Sequence, residues 1–278
     1  MPKRPRKPSA RLWALVLGLL SLLAGPQLAS AETTQLERRL GRLVAAYPDF
    51  LAGIDGNALL WKDGTRMAID DGRGGKPFEL RLADPDIKDM FWTPYPQNAA
   101  LSQPDVDADP GRVRYQPFFD KMYGDCSKGS VQASLVEIVW LPSKARQPIK
   151  ITSINGVAER LDAVSRELDR LPATFDAYLF PAAGTFNCRP IAGTSRPSAH
   201  GHGIAIDIAL RHAHYWRWSQ GDGKKAGPQN PGAGAHVIWR NSIPPEIVAI
   251  FEKHGFIWGG RWYHYDTMHF EYRPELLD

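Results

Sequence analysis

Ser198-Ala199-His200-Gly201-His202-Gly203-Ile204-Ala205-Ile206-Asp207-Ile208-Ala209 is the stretch around which the rest of the chain is read. Its second half alternates as a buried strand does. Ile204, Ile206 and Ile208 fall on one face, and Gly203, Ala205, Asp207 and Ala209 on the other. A carboxylate flanked only by Gly and Ala has an open, small-walled space above it. The glycine-broken turn before the strand carries His200, so an imidazole and a carboxylate can converge on that space, two ligand types that suit zinc. Taken alone, a buried Asp satisfied by backbone N–H groups fits the same pattern.

Working outward, Trp262-Tyr263-His264-Tyr265-Asp266-Thr267-Met268-His269-Phe270-Glu271-Tyr272 supplies a second half. Met268, Phe270 and Tyr272 alternate with Thr267, His269 and Glu271, which predicts another strand, entered through an aromatic loop. His269 offers a third ligand. Asp266, three residues earlier, offers a carboxylate near the metal but outside the ligand set. Three protein ligands with a free fourth position, plus a nearby base, describe a catalytic zinc. The combined pattern is Ser-x-His-x6-Asp and, after 58 intervening residues, Asp-x2-His-x-Glu. It is far more specific than either half.

These residues resemble the D-alanyl-D-alanine carboxypeptidase-like zinc peptidases, the peptidase M15 family. Its Ser-x-His-x2-Gly-x-Ala-x-Asp motif is matched by Ser198, His200, Gly203, Ala205 and Asp207, and its Glu/Asp-x2-His motif by Asp266 and His269. The resemblance covers roughly the last 160 residues. It implies one Zn2+ ion on His200, Asp207 and His269, with Asp266 as general base. The family's upstream arginine, which stabilises the developing oxyanion, has its nearest match in Arg189 of Thr185-Phe186-Asn187-Cys188-Arg189, closer to the metal loop than in much of the family. Ser198 is similar to a family serine that contacts substrate or the metal loop. Glu271 shares the His269 face and is read as orienting that imidazole or a substrate ammonium group. His264, at the strand mouth, is read as a substrate contact. The implied substrates are peptidoglycan peptides of the bacterial cell wall.

The N-terminus bears on compartment and charge. Lys3, Arg4, Arg6, Lys7 and Arg11 precede an apolar run from Leu12 to Ala24, followed by Ala29-Ser30-Ala31. This is the pattern of a secretory signal peptide cut after Ala31, with an uncleaved anchor as the alternative. The expectation is an exported protein, periplasmic or in the cell envelope, with no stable membrane span once the signal is cut. The signal holds five of the 34 basic residues and none of the 30 acidic ones. Without it the basic excess disappears, and with it any electrostatic case for nucleic-acid binding. The two cysteines, Cys126 and Cys188, are expected to pair as a disulfide in an oxidising compartment. Free buried thiols or a nucleophilic Cys188 are the alternatives.

The remaining elements predict an α+β fold, a mainly antiparallel sheet with flanking helices. The resemblance specifies this further as hedgehog/DD-peptidase-like, preceded by an N-terminal extension. Helical spacing covers Thr34–Ala46 and Val157–Leu171, the latter ended by Pro172, and another helix runs from Pro244-Pro245 to His254. A hairpin is expected over Ala58–Ile69 around Lys62-Asp63-Gly64, and strands over Leu135–Leu141 and Ile149–Ile154. Phe175–Arg189 reads as extended chain. Asp84–Arg114, rich in Pro and Asp, reads as a loop pinned over the core by its aromatics, the alternative being one wall of a peptide groove. The divisions that follow are a signal (1–31), an extension (32–115) and a zinc peptidase domain (116–278). All eight histidines lie between residues 200 and 269. Of those outside the ligand set, His202 stands out, because i and i+2 on a strand-like turn face the same way. Trp258-Gly259-Gly260-Arg261-Trp262 reads as a flexible aromatic loop that suits a platform for a peptide or sugar, the alternative being tryptophans that serve packing.

The function expected is zinc-dependent hydrolysis of stem peptides, as a D-alanyl-D-alanine carboxypeptidase. Two alternatives stay open: an L-alanyl-D-glutamate-type endopeptidase, and a non-catalytic cell-wall or zinc-binding module.

Overall fold

The computed structural model describes residues 24–220 and 237–278. The basic start of the expected signal and nearly all of its apolar run lie outside the described residues, as does His236. The first described element, helix α1 (Ala24–Ala46), begins three turns earlier than the apolar periodicity predicts. Leu40 and Leu43 are buried on it. No helix among the described residues is long and apolar enough to cross a membrane.

After α1 the chain forms a three-stranded antiparallel meander of β1 (Leu51–Asp55), β2 (Ala58–Trp61) and β3 (Arg66–Ala68). The β2–β3 hairpin turns where Lys62-Asp63-Gly64 predicts, with Leu59 opposite Met67. Strand β1 was not anticipated. A bulge at Gly53 breaks its alternation, and only Leu51 of the strand is buried. Short helix α2 (Phe78–Ala83) then leads into an irregular connection, pinned by buried Met90, Phe91 and Tyr95. Helix α3 (Gln116–Tyr123) starts with Pro117 in its first turn and stops at Gly124.

Strands β4 (Leu135–Trp140) and β5 (Gln147–Thr152) form a separate antiparallel pair, and α4 (Val157–Asp169) packs against it. The buried stripe of α4 is Val157, Leu161, Val164 and Leu168, the spacing of one helical face. Phe175–Arg189 is not simply extended as expected. A turn of helix α5 (Asp176–Leu179) occupies its first part, burying Leu179.

The third sheet carries the chemistry. Strand β6 (Ala205–Asp207) and β7 (Phe256–Trp258) both pair antiparallel with the central β8 (His269–Tyr272). Helix α6 (Pro245–Lys253) backs this sheet, Phe251 stacking on Phe270 with ring centroids 3.8 Å apart. The fold is therefore α+β, but with three small antiparallel sheets where one larger sheet was expected. One continuous apolar core runs from Leu40 to Leu277, across residue 115. Helix α1 packs on the C-terminal turn Pro274–Leu276, and the Tyr47 hydroxyl after it donates to buried Glu275 Oε2 at 2.6 Å.

Candidate active site

Register brings the site together. Asp207 on β6 pairs directly with His269 on β8, so their side chains rise from one face of the sheet at neighbouring positions. His200 arrives on a single 3₁₀ turn, Ala199–His202, that ends at Gly203 with φ +66°. A Cβ at Gly203 would lie 2.8 Å from Leu135 and 3.2 Å from the Thr152 backbone nitrogen, so both the backbone conformation and the space demand glycine.

The three expected ligands form a nearly equilateral triangle. His200 Nε2 is 3.2 Å from His269 Nδ1 and 3.2 Å from Asp207 Oδ1, and His269 Nδ1 is 3.1 Å from Asp207 Oδ1. Three tetrahedral ligands about 2.0–2.1 Å from zinc are about 3.3–3.4 Å apart, so the triangle is close to the size the ion requires. The other nitrogen of each imidazole is committed elsewhere. His200 Nδ1 donates to the Thr185 carbonyl, and His269 Nε2 lies 3.0 Å from Glu271 Oε2. These bonds set the tautomers, leaving the two inward nitrogens as acceptors for a cation.

Without a cation, the charges adjust around this triangle. Burial opposes ionisation of Asp207, but the His200 and His269 imidazoles overcome it and hold the carboxyl well below its usual range. Burial also disfavours charged His269, yet its hydrogen bonds to Asp207 and Glu271 push it up to about 10. Asp266 moves the other way, pushed up to about 7 by burial and by the charge of Asp207. Its Oδ1 is enclosed with no hydrogen-bond partner among the described residues. A buried carboxylate oxygen left without a donor among the described residues, in the same cavity as the three expected ligands, is where a water would be held and deprotonated.

Asp266, Ser198 and His264 line the same cavity as the triangle, about 280 Å3 in volume. Arg189 is exposed on its rim, with Nη1 3.3 Å from the Pro190 carbonyl. Ser198 is buried, and its backbone N–H donates to Arg189 O at 3.1 Å. His264 is fixed by Asp109, which accepts from its backbone N–H at 2.9 Å and lies 2.7 Å from Nδ1. The Cys126–Cys188 disulfide is present, with Cα atoms 5.7 Å apart. It braces the metal turn directly: a Cβ on Gly201 would be 3.1 Å from Cys126 Sγ.

Several readings need correction. Of the two roles expected of Glu271, the geometry favours the first: fully enclosed and ion-paired to Arg114 and Arg273, both at 3.0 Å, it meets the His269 ring and does not line the cavity. His202 points away from the cluster, to Asp120 Oδ1 at 2.9 Å, because successive residues of a 3₁₀ turn rotate by about 120° and i and i+2 diverge. Trp258–Trp262 is no flexible platform. All five residues are buried, and Cβ atoms on Gly259 and Gly260 would meet the Asp266 carbonyl at 2.6 Å and the Trp258 ring at 2.1 Å. Its glycines serve close packing.

The sequence reading missed Thr185, Asp109, Arg112 and Arg114. The connection that ends at Arg114 does form one wall of the cavity, through Arg112 and Arg114. Their one signal was the alternation Arg112-Val113-Arg114, with Val113 buried between two basic residues.

Residues 192–272 match the family described as D-alanyl-D-alanine carboxypeptidase. The match spans His200, Asp207, Asp266 and His269, so this segment is similar to the peptidase M15 family. Searches of curated proteins and of solved structures returned no significant match.

Proposed function

We propose that the chain is a zinc-dependent peptidase that hydrolyses peptidoglycan stem peptides, as a D-alanyl-D-alanine carboxypeptidase, on a hedgehog/DD-peptidase-like fold. The observation that carries this reading is the His200–Asp207–His269 triangle with, in the same cavity, an Asp266 oxygen that has no hydrogen-bond partner among the described residues. His200, Asp207 and His269 would hold the ion. Bound zinc supplies a Lewis acid for the scissile carbonyl and acidifies water at its open position.

The chain's own residues do the rest. Asp266 accepts a proton from the attacking water and returns it to the leaving amine, a role suited to a carboxylate already pushed toward neutrality. Glu271 fixes the His269 ring, and the Thr185 carbonyl fixes His200. Arg189, on the rim, is positioned to meet the oxyanion once substrate closes the cavity. Ser198 and His264 form cavity walls that contact the bound peptide. Export to the periplasm or cell envelope behind a signal peptide is supported by the disulfide, which oxidising compartments sustain. On this reading residues 116–278 carry the chemistry, and residues 32–115 contribute the Arg112–Arg114 wall.

One observation favours the endopeptidase as a second reading. A second cavity adjoins the first and shares Arg112, Trp216 and His264 with it, which would give peptide on both sides of the scissile bond somewhere to lie. Asp266 speaks against a non-catalytic module, since a structural zinc needs a fourth protein ligand and no base. The test is incubation of the purified protein with muropeptides, with and without chelator, followed by mass analysis. Loss of one alanine identifies the carboxypeptidase, a split stem the endopeptidase, and unchanged peptides at full metal occupancy would overturn the catalytic reading.

A further inference from the structure

Most arginines enclosed near the site have a carboxylate. Arg112 pairs with Asp109, Arg114 and Arg273 with Glu271, and Arg261 with Glu252. Arg196 differs. It is half-buried, yet no carboxylate among the described residues stands within ion-pair distance of it, and its Nη1 reaches only the Arg112 carbonyl at 3.4 Å. Burial and the charges of Arg112 and Arg114, only partly offset by Asp109 and Glu79, disfavour its cation and hold it down to about 9. A partly desolvated guanidinium set among other cations is a costly arrangement unless an anion arrives to complete it.

Its position is well defined. Arg196 closes a turn in which Ile191 N–H donates to Arg196 O at 2.8 Å and Arg196 N–H to Thr194 Oγ1 at 3.2 Å. The guanidinium lines a cavity of about 270 Å3 that shares Arg112, Trp216 and His264 with the cavity over the metal triangle. Arg217 lines the same space, its guanidinium laid over Trp216 and against Gly193. A Cβ at Gly193 would be 2.1 Å from Arg217 Nη1, so glycine leaves the room this second cation occupies. The one carboxylate on the cavity wall, Glu79, is exposed and forms no ion pair with Arg196.

We propose that Arg196 forms an anion subsite that holds a carboxylate of the substrate peptide while its scissile bond lies at the His200–Asp207–His269 triangle. The inference rests on the peptidase reading and names what that substrate carries: a free carboxylate placed one cavity away from the bond cut. Planar guanidinium groups match carboxylates with paired donors, which makes the contact selective for an acid over an amide. The carboxylate is either the peptide's C-terminus or an internal side chain, and the two are separable.

The test is steady-state hydrolysis of stem pentapeptides by wild type and Arg196→Gln. The peptides carry all carboxylates free, only the C-terminus amidated, only the side-chain carboxylates amidated, or all amidated. Arg196→Gln is expected to raise KM for the free acid about 10–100-fold, with a much smaller change in kcat and unchanged zinc content. The effect should vanish on the peptide whose bound carboxylate is amidated, which identifies the source, and Arg196→Lys should recover part of it. Wild-type KM in Arg196→Gln on the free acid, or an equal loss on the fully amidated peptide, would overturn the subsite. If wild type cleaves none of these peptides, the peptidase reading fails, and calorimetric binding of the free and fully amidated peptides decides the subsite alone. Selective loss of the acid's binding in Arg196→Gln upholds it, and equal binding of both peptides refutes it.

Discussion

Glu271→Gln tests how the fold holds the metal triangle. Glu271 is fully buried between three partners: the His269 ring at 3.0 Å, Arg114 at 3.0 Å and Arg273 at 3.0 Å. Arg273 is also bound to Glu275, which accepts from Tyr47 at the end of the N-terminal helix. Two arginines and two glutamates thus balance inside the protein. Replacing Glu271 by glutamine leaves one positive charge unpaired in the interior, which costs about 3–5 kcal/mol. That is a large share of a total stability of about 5–15 kcal/mol. Glutamine keeps the size of the side chain, but its single, neutral oxygen cannot serve both the His269–Arg114 side and the Arg273 side, so the acceptor that fixes the His269 tautomer is weakened. Loss of such a partner commonly weakens metal binding about 10–100-fold. The assays are urea unfolding of the chelated protein and competitive zinc titration. A lower unfolding midpoint together with weaker zinc binding is expected. Wild-type values in both would refute the argument that Glu271 positions His269 and neutralises Arg114 and Arg273.

Three further outcomes are expected. Asp266→Asn should lower peptide hydrolysis about 10²–10⁴-fold while retaining full zinc occupancy, whereas His269→Ala should lose the metal as well; near-normal turnover in Asp266→Asn would place the base elsewhere. In chelated protein, Asp266 is held near 7 by burial and Asp207, far above its unfolded value, so the folded state binds the extra proton and stability falls as pH rises from about 4 through 7. Comparing wild type with Asp266→Asn over that range should show a flatter profile in the variant, and parallel profiles would contradict the assignment. Thiol titration of the unreduced, denatured protein should find no free cysteine. Replacing both cysteines by serine, which frees a loop of 62 residues, should cost about 4 kcal/mol in chemical denaturation, and an unchanged midpoint would show that the bridge constrains nothing.

The three proposed metal ligands were legible because each lies in a short segment whose geometry is local. Asp207 and His269 fall where a period of two places them, and antiparallel pairing of the two strands then makes them neighbours. Asp266 was legible by its distance from His269 along the chain. The groups that steady and flank these ligands were not. Arg114 meets Glu271 across 157 residues and Asp109 meets His264 across 155, and contacts of that range leave no periodic trace in a single sequence. Strand β7 was missed for a different reason: Phe256, Ile257 and Trp258 are all buried, so the alternation that reveals a half-exposed strand is absent. The glycines after it misled in turn. Gly259 and Gly260 look like a flexible joint, yet the Trp258 ring and the Asp266 carbonyl fill the space where their Cβ atoms would stand. That contact has a functional side. The backbone N–H of Asp266 donates to Gly259 O at 3.0 Å, so the glycine pair brings the chain close enough to fix the proposed base. A side chain at Gly259 would push on Asp266 first, which ties a residue outside the two motifs to the position of the carboxylate proposed as the base.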